Sequence, residues 1–303
     1  MTKEFYSNGK LLLSGEYVVL EGAVAFALPT KFGQSLSIVE TETDCIHWVS
    51  YDVDGQVWME EEVDLTDIAG DHTIINKSTY YTTLVQVLRA AHRQNPTVLI
   101  RGFEVTSKLT FPRLWGLGTS STWINNIAQW LAINPYQLLN ESFGGSGYDI
   151  ACAQYPQGLF YTLTKSINPS IELVSFQPSF ISSIYFVYLN QKKSSKEAIA
   201  NFKANHNLLD ESIGRISEIS KELAVSKSLA KFTALVEEHE QIMSNVLGIQ
   251  PIKKLLFEDF EGTIKSLGGW GGDFVMVLCE TNPKEYFQSK GYETILSFEE
   301  MIL

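Results

Sequence analysis

The stretch Pro112-Arg113-Leu114-Trp115-Gly116-Leu117-Gly118-Thr119-Ser120-Ser121-Thr122 constrains this chain more than any other. Two glycines around one leucine lead into a run of hydroxyl side chains, and residues 123–131 then read as a helix. A flexible backbone emptying into a helix N-terminus is an anion site. Glycines let the main chain approach a ligand and turn successive N–H groups toward it, and the unpaired N–H groups and positive dipole end of the helix add to the attraction. A phosphate is the natural occupant, with Ser120 or Ser121 offering a hydroxyl to a phosphate oxygen or to its magnesium ion. The same residues also suit a plain turn with a hydroxyl cap. No Gly-Lys-Ser/Thr follows the glycines, so this is not a Walker loop.

Upstream, residues 5–13, 17–20 and 24–28 read as short strands, with Gly15 and Glu21-Gly22 as turn points. Lys10 and Glu16 stand at the two ends of an apolar strand; such charges are usually solvated, yet Lys10 beside a glycine suits a cation reaching for phosphate. Alternation over 34–40, 45–50 and 56–60 predicts an antiparallel or mixed sheet. Ser78 caps a helix over 78–93 whose apolar face is Tyr81, Leu84, Val85, Leu88 and Ala91, and 98–106 returns as a strand toward the glycine loop.

Beyond that loop, Asn134 caps and Pro135 opens a short helix. Gly144-Gly145-Ser146-Gly147 is a second close-approach loop, and Asp149 sits in the first turn of the apolar helix after it. A carboxylate there can be a dipole partner, but a buried neighbourhood calls for a cation, and Lys10 is a candidate. Strands over 158–163, 171–176 and 184–189 follow, with a domain boundary near 166–169, giving domains 1–168 and 169–303. The run 191–196 holds Lys192, Lys193 and Lys196, either a solvated loop or a cationic lip for an anionic substrate. Helices are expected over 195–210, 211–224, 227–247 and 251–261, with His239, among Glu237, Glu238 and Glu240, on a solvated face. Lys265-Ser266-Leu267-Gly268-Gly269-Trp270-Gly271-Gly272-Asp273 is a third glycine-rich turn before an apolar strand. Three such loops point to one polyanionic ligand wrapped by all of them.

Composition narrows the partners. A net charge of -12 argues against nucleic acid and anionic membranes, so an anionic substrate must be met by local cations. Cys45, Cys152 and Cys279 are far apart, forming neither a disulfide framework nor a zinc site, which suits a reducing cytoplasm. Glu16 and Glu21 interrupt the apolar run after Lys10, so it is neither a signal peptide nor a membrane span.

Taken together and in order, these segments resemble the GHMP kinase superfamily, the galactokinase, homoserine kinase, mevalonate kinase and phosphomevalonate kinase group. Gly9–Tyr17 is similar to the first motif of that family, with Gly-Glu-Tyr nearer to phosphomevalonate kinases. Gly116-Leu117-Gly118-Thr119-Ser120 resembles the second, Gly145–Asp149 the Ser-Gly-x-Asp segment, and Lys265–Asp273 the third. Departures are Thr119 for the usual serine, Trp270 for a glycine, and a short interval between Ser120 and Asp149.

The resemblance implies an α+β fold of two domains, the first like ribosomal protein S5 domain 2 and the second ferredoxin-like. It implies ATP and Mg2+ as cofactors and a small acidic acceptor, mevalonate or phosphomevalonate, in a cytoplasmic monomer or homodimer. Asp149 and Lys10 would be catalytic, their side chains approaching each other. Gly116, Leu117, Gly118, Thr119, Ser120 and Ser121 would hold the nucleotide, and Ser120 and Glu141 the metal. Glu16, Tyr17, Ser146, Gly147, Lys192, Lys193, Gly269 and Gly271 would meet the substrate. A diphosphomevalonate decarboxylase-like enzyme and a non-catalytic binding protein on the same fold are the alternatives.

Overall fold

The computed structural model describes residues 1–191, 202, 209–270 and 272–303. They form two compact units, each assembled from separated stretches: Met1–Gly9, Phe32–Arg113 and Gly118–Gln154 in the first, and Lys10–Lys31, Leu114–Leu117 and Tyr155–Leu303 in the second. Strands β1 (Lys3–Ser14) and β2 (Ala25–Thr41) pair with each other, and each contributes residues to both units. The two runs expected as separate strands over 24–28 and 34–40 are thus one strand. Gly33, which looks like a break, marks a close approach instead, since a Cβ there would lie 2.3 Å from the Ser7 carbonyl oxygen.

In the first unit the later part of β2 is antiparallel to β5 (Gly102–Leu109), β5 is parallel to β3 (Cys45–Tyr51), and β3 is antiparallel to β4 (Val57–Asp64). The sheet is mixed, as the alternation predicts. β5 starts later than expected because Leu99 takes a left-handed turn at φ 58. Helices α1 (Leu65–Ala69), α2 (Thr79–Gln94), α3 (Thr119–Leu131), α4 (Pro135–Ser142) and α5 (Tyr148–Gln154) complete the unit. Ser78 caps α2 by accepting the Tyr81 N–H, and the five predicted apolar positions of α2 are buried. The side chain of Asn134 caps α4, with Pro135 at its first turn. An aromatic cluster joins sheet to helix: Trp48 meets Trp123 edge-on at 5.4 Å, and Phe103 meets Trp130 at 5.0 Å.

In the second unit the early part of β2 is antiparallel to β6 (Leu159–Thr162), which pairs with β7 (Ser170–Leu173). Between β1 and β2 the run 17–20 is not a strand. It forms a single 3-10 turn, Val18–Glu21, because Gly15 and Tyr17 both turn the chain at positive φ; a short apolar run cannot reveal that by its period. A four-stranded antiparallel sheet has the order β11-β8-β10-β9 (β8 Ile184–Tyr188, β9 Thr263–Ser266, β10 Phe274–Leu278, β11 Ile295–Ser297). Its helices are α6 (Leu209–Val225), α7 (Leu229–Leu247), α8 (Ile252–Leu256), α9 (Lys284–Ser289) and α10 (Phe298–Met301). The helix expected over 251–261 is shortened to α8, and most of that expected over 195–210 lies outside the described residues. Among the described residues no helix is long and apolar enough to cross a membrane.

Candidate functional site

The glycine loop runs into α3 as the sequence predicts. Gly116 and Gly118 both have positive φ (71° and 98°), a conformation that a side chain would strain. Gly118 is the N-cap of α3, and no side chain caps the N–H groups of the first turn. Ser121 Oγ donates back to the Gly118 carbonyl at 3.0 Å, whereas Ser120 is exposed. Thr119 Oγ1 is buried with no hydrogen-bond partner. A thirteen-residue helix with an uncapped start and a glycine entrance suits a phosphate.

What aims that helix is a buried polar seam that sequence reasoning missed. Asn125 Nδ2 donates to Ser7 Oγ at 2.8 Å, Ser7 Oγ donates to Asn126 Oδ1 at 2.7 Å, and Asn126 Nδ2 donates to the Gln34 carbonyl at 2.9 Å. Thr122 Oγ1 donates to Gln34 Oε1 at 2.8 Å. All of these side chains are buried, so the seam fixes the setting of α3 on β1 and β2. The available signal was a pair of asparagines amid the apolar residues of a helix.

In the second unit, the Lys10 N–H donates to the Leu117 carbonyl at 3.0 Å and its ammonium donates to the Gly116 carbonyl at 3.2 Å. Gly116 is a close-approach residue: a Cβ there would come 2.5 Å from Asp273 Cγ. Lys10 of the first motif and Asp273 at the end of the third therefore both lie against Gly116 of the second. Trp115 packs edge-on against Phe274 at 5.4 Å, and Tyr188 Oη donates to the Leu114 carbonyl at 3.1 Å, pinning the approach to the loop. Tyr17 at φ 63 and Asp273 at φ 52 are non-glycine residues in left-handed backbone, and Gly268 turns at φ 69. Such strain collects where function demands a fixed shape. The Trp270 N–H donates to Tyr17 Oη at 3.1 Å, and the Trp270 indole nitrogen is buried without a partner. Burial pushes the Tyr17 phenol above its usual value; the Trp270 N–H opposes this, and the charges of Glu16 and Asp273 add to the rise.

Asp149 is half-buried in the first turn of α5, after a loop in which Gly144, Gly145 and Gly147 all have positive φ. Ser146 is half-buried beside it. The Glu141 carboxylate accepts from Gln137 Nε2 at 2.8 Å and lies 3.6 Å from Arg93. Among the described residues no group of three or more His, Cys, Asp or Glu side chains is arranged to hold a metal. Gly269 lies in the third loop, where its carbonyl accepts the Gly272 N–H at 3.1 Å. Lys192, Lys193 and Gly271 lie outside the described residues.

Two readings of charged residues are corrected. Glu16 is no solvated strand end and His239 no solvated helix residue: they are 1% and 0% exposed. The buried positions of α7 include Phe232, Leu235, Val236, His239, Glu240, Met243 and Leu247, a stripe at intervals of three and four. His239 and Glu240 are in that stripe, and counting helical register rather than neighbouring charges would have placed them inside.

No protein-family model and no curated protein matches this sequence. Solved structures do share its fold, which is that of the GHMP kinases. Lin0012 from Listeria innocua superposes with a TM-score of 0.74 at 17% identity, over 98% of this chain and 97% of that one. Phosphomevalonate kinase from Streptococcus pneumoniae, solved with phosphomevalonate and AMPPNP, gives 0.72 at 16% identity over 97% and 99% of the two chains. Mevalonate kinase from Methanococcus jannaschii gives 0.69 at 17% identity over 97% and 96%. At such identities the likeness is one of fold, and it bears out the α+β architecture that the motifs imply.

Proposed function

We propose that this protein is an ATP-dependent small-molecule kinase of the GHMP type, transferring the γ-phosphoryl group of ATP to mevalonate or phosphomevalonate. The observation that carries the reading is the start of α3, where a left-handed glycine leaves the first-turn N–H groups without a side-chain cap. Those groups, with the backbone of residues 116–120, hold the phosphate chain. ATP with magnesium supplies the phosphoryl group, and Ser120, whose hydroxyl is exposed, is the protein donor nearest in kind to what magnesium needs.

Phosphoryl transfer asks little covalent chemistry of a protein; positioning and electrostatics do most of it. Lys10 contributes the positive charge that offsets charge developing on the transferred group. Asp149 accepts the proton of an acceptor hydroxyl, or orients an acceptor phosphate that is already ionised near neutral pH. Ser146, Gly147, Tyr17 and Gly269 contact the acceptor, and Lys192 and Lys193 answer its negative charge. The protein works on this small acidic substrate in the cytoplasm, as a monomer or homodimer.

The test is ADP formation with magnesium and a panel of mevalonate, phosphomevalonate, homoserine and simple sugars. One acidic acceptor should drive ADP release, and Asp149→Asn should slow turnover by roughly 10²–10⁴-fold with an unchanged circular dichroism spectrum. Absence of acceptor-dependent ADP across the panel, or full turnover in the asparagine variant, would overturn the reading.

A further inference from the structure

Far from the phosphate loop in sequence, four ionisable side chains of the second unit share one buried spot. The Lys265 ammonium donates to Glu16 Oε1 at 2.5 Å and to the Ser266 carbonyl at 2.9 Å, and lies 3.7 Å from Glu240 Oε1. Glu16 Oε2 is 3.2 Å from His239 Nε2, and the Gly15 N–H donates to that same nitrogen at 3.2 Å. Burial and the lysine charge beside it hold the His239 imidazole below its ordinary value, so His239 is neutral. One ammonium then faces two carboxyl groups. Glu16, in direct contact, takes it. Glu240 is left with both oxygens buried and without a hydrogen-bond partner.

The arithmetic of charge decides what Glu240 is. A second buried carboxylate sharing one ammonium costs several kcal/mol, and the group takes up a proton instead. Burial dominates and the charge of Glu16 adds to it, pushing Glu240 up to about 7, while Lys265 and the Ser266 N–H offset this only in part. Its own helix, α7, also packs on α6, where the charged link is Arg215 to Glu238 at 2.6 Å on the exposed side, and on β9, where Thr263 Oγ1 donates to Glu237 at 2.5 Å. His239 Nδ1 and Ser266 Oγ are buried without partners in the same cluster.

Each strong partner also leads into a segment of the candidate site. Glu16 immediately precedes Tyr17, whose strained backbone and phenol meet Trp270. Lys265 is the penultimate residue of the strand that opens into Gly268 and Asp273, the residue against Gly116. We propose that Glu240 is a proton-linked positioning residue: protonated, it leaves Lys265 wholly on Glu16 and holds the Gly15–Tyr17 turn and the Gly268–Asp273 loop in register; ionised, it draws Lys265 toward α7 and loosens both. The effect on catalysis rests on the kinase reading, whereas the proton linkage does not.

The test compares wild type with Glu240→Gln, and with Glu240→Met should the first fail to fold, across pH 5.5–9 by stability, nucleotide affinity and, with the active acceptor, KM and kcat. In wild type a protonated-carboxyl infrared band should fade as pH rises through neutrality, and the Kd of a fluorescent ATP analogue should rise by roughly fivefold, the scale of ordinary site coupling. Both changes should vanish in the variant, with KM rather than kcat carrying the difference. A wild-type pH dependence that survives intact in Glu240→Gln, or one that is absent in wild type, would overturn the inference. Lack of turnover with every acceptor would sink the kinase reading alone, because the infrared band and the analogue's affinity are read without it.

Discussion

Lys265→Met removes the ammonium from the buried cluster while keeping the volume and the apolar stem. Glu16 is held down to about 2 against an ordinary value of 4.5, burial pushing it up and Lys265 and His239 more than offsetting that. At about 1.4 kcal/mol per pH unit, the difference corresponds to about 3 kcal/mol favouring its charged form. Loss of the lysine leaves Glu16 facing a neutral imidazole, and breaking a buried pair by removing one partner costs about 3–5 kcal/mol. In a domain of this size each kcal/mol moves Tm by about 2–4 °C, so the variant should melt about 6–20 °C lower. Glu16→Gln should be milder, because the stranded ammonium can still turn to Glu240, 3.7 Å away. The double variant should recover part of the loss of Lys265→Met. Urea unfolding at pH 7, followed by circular dichroism, measures all three. A Lys265→Met protein within about 1 kcal/mol of wild type, or a double variant no better than the sum of the single ones, would refute the reasoning.

Other outcomes follow from the same geometry. Gly116→Ala sets a methyl 2.5 Å from Asp273 Cγ at a residue with φ 71, so it should cut turnover or nucleotide affinity by about 100-fold, read by ADP release and by titration. Because the folded value of Glu16 lies below its unfolded one, its stabilisation is present above about pH 4.5 and is lost as pH falls from there to about 2; acid unfolding of Glu16→Gln should be correspondingly flatter. Ser228→Ala removes the side chain that caps α7 by accepting the Lys231 N–H, and should cost about 1 kcal/mol in urea. Asn126→Leu strands Ser7 and the Gln34 carbonyl in the first unit and should cost about 1–3 kcal/mol although it adds apolar surface.

Much of this fold is legible locally. Ser78, Asn134 with Pro135, and the glycines at 116 and 118 each act through their own backbone chemistry, so their effects survive in a linear reading. Period two likewise survives in β3, whose residues alternate between buried and half-buried. What escaped is nonlocal. The charge of Glu16 is tolerable only because Lys265 arrives from 249 positions away, and no feature near either residue announces the other. The asparagines of α3 are intelligible only against Ser7 and Gln34, which belong to strands. Around His239 the misleading signal was its acidic neighbours, which share its stretch of sequence but not all of its helix face. The short turn at Val18–Glu21 carried strand-like residues because its valines are buried, and burial selects the same side chains in either conformation.

The hydrogen-bonded seam under α3 has a consequence for how this loop can change over time. A helix seated on oil alone can roll by several degrees and find equally good packing, because dispersion has no preferred direction. A helix whose amides must meet one serine and one glutamine has a single angular setting, so its exposed amino-terminal end is aimed before any ligand arrives. Change at this end is therefore confined to the exposed first turn, because neither the rod behind it nor the left-handed glycines before it can be altered without cost.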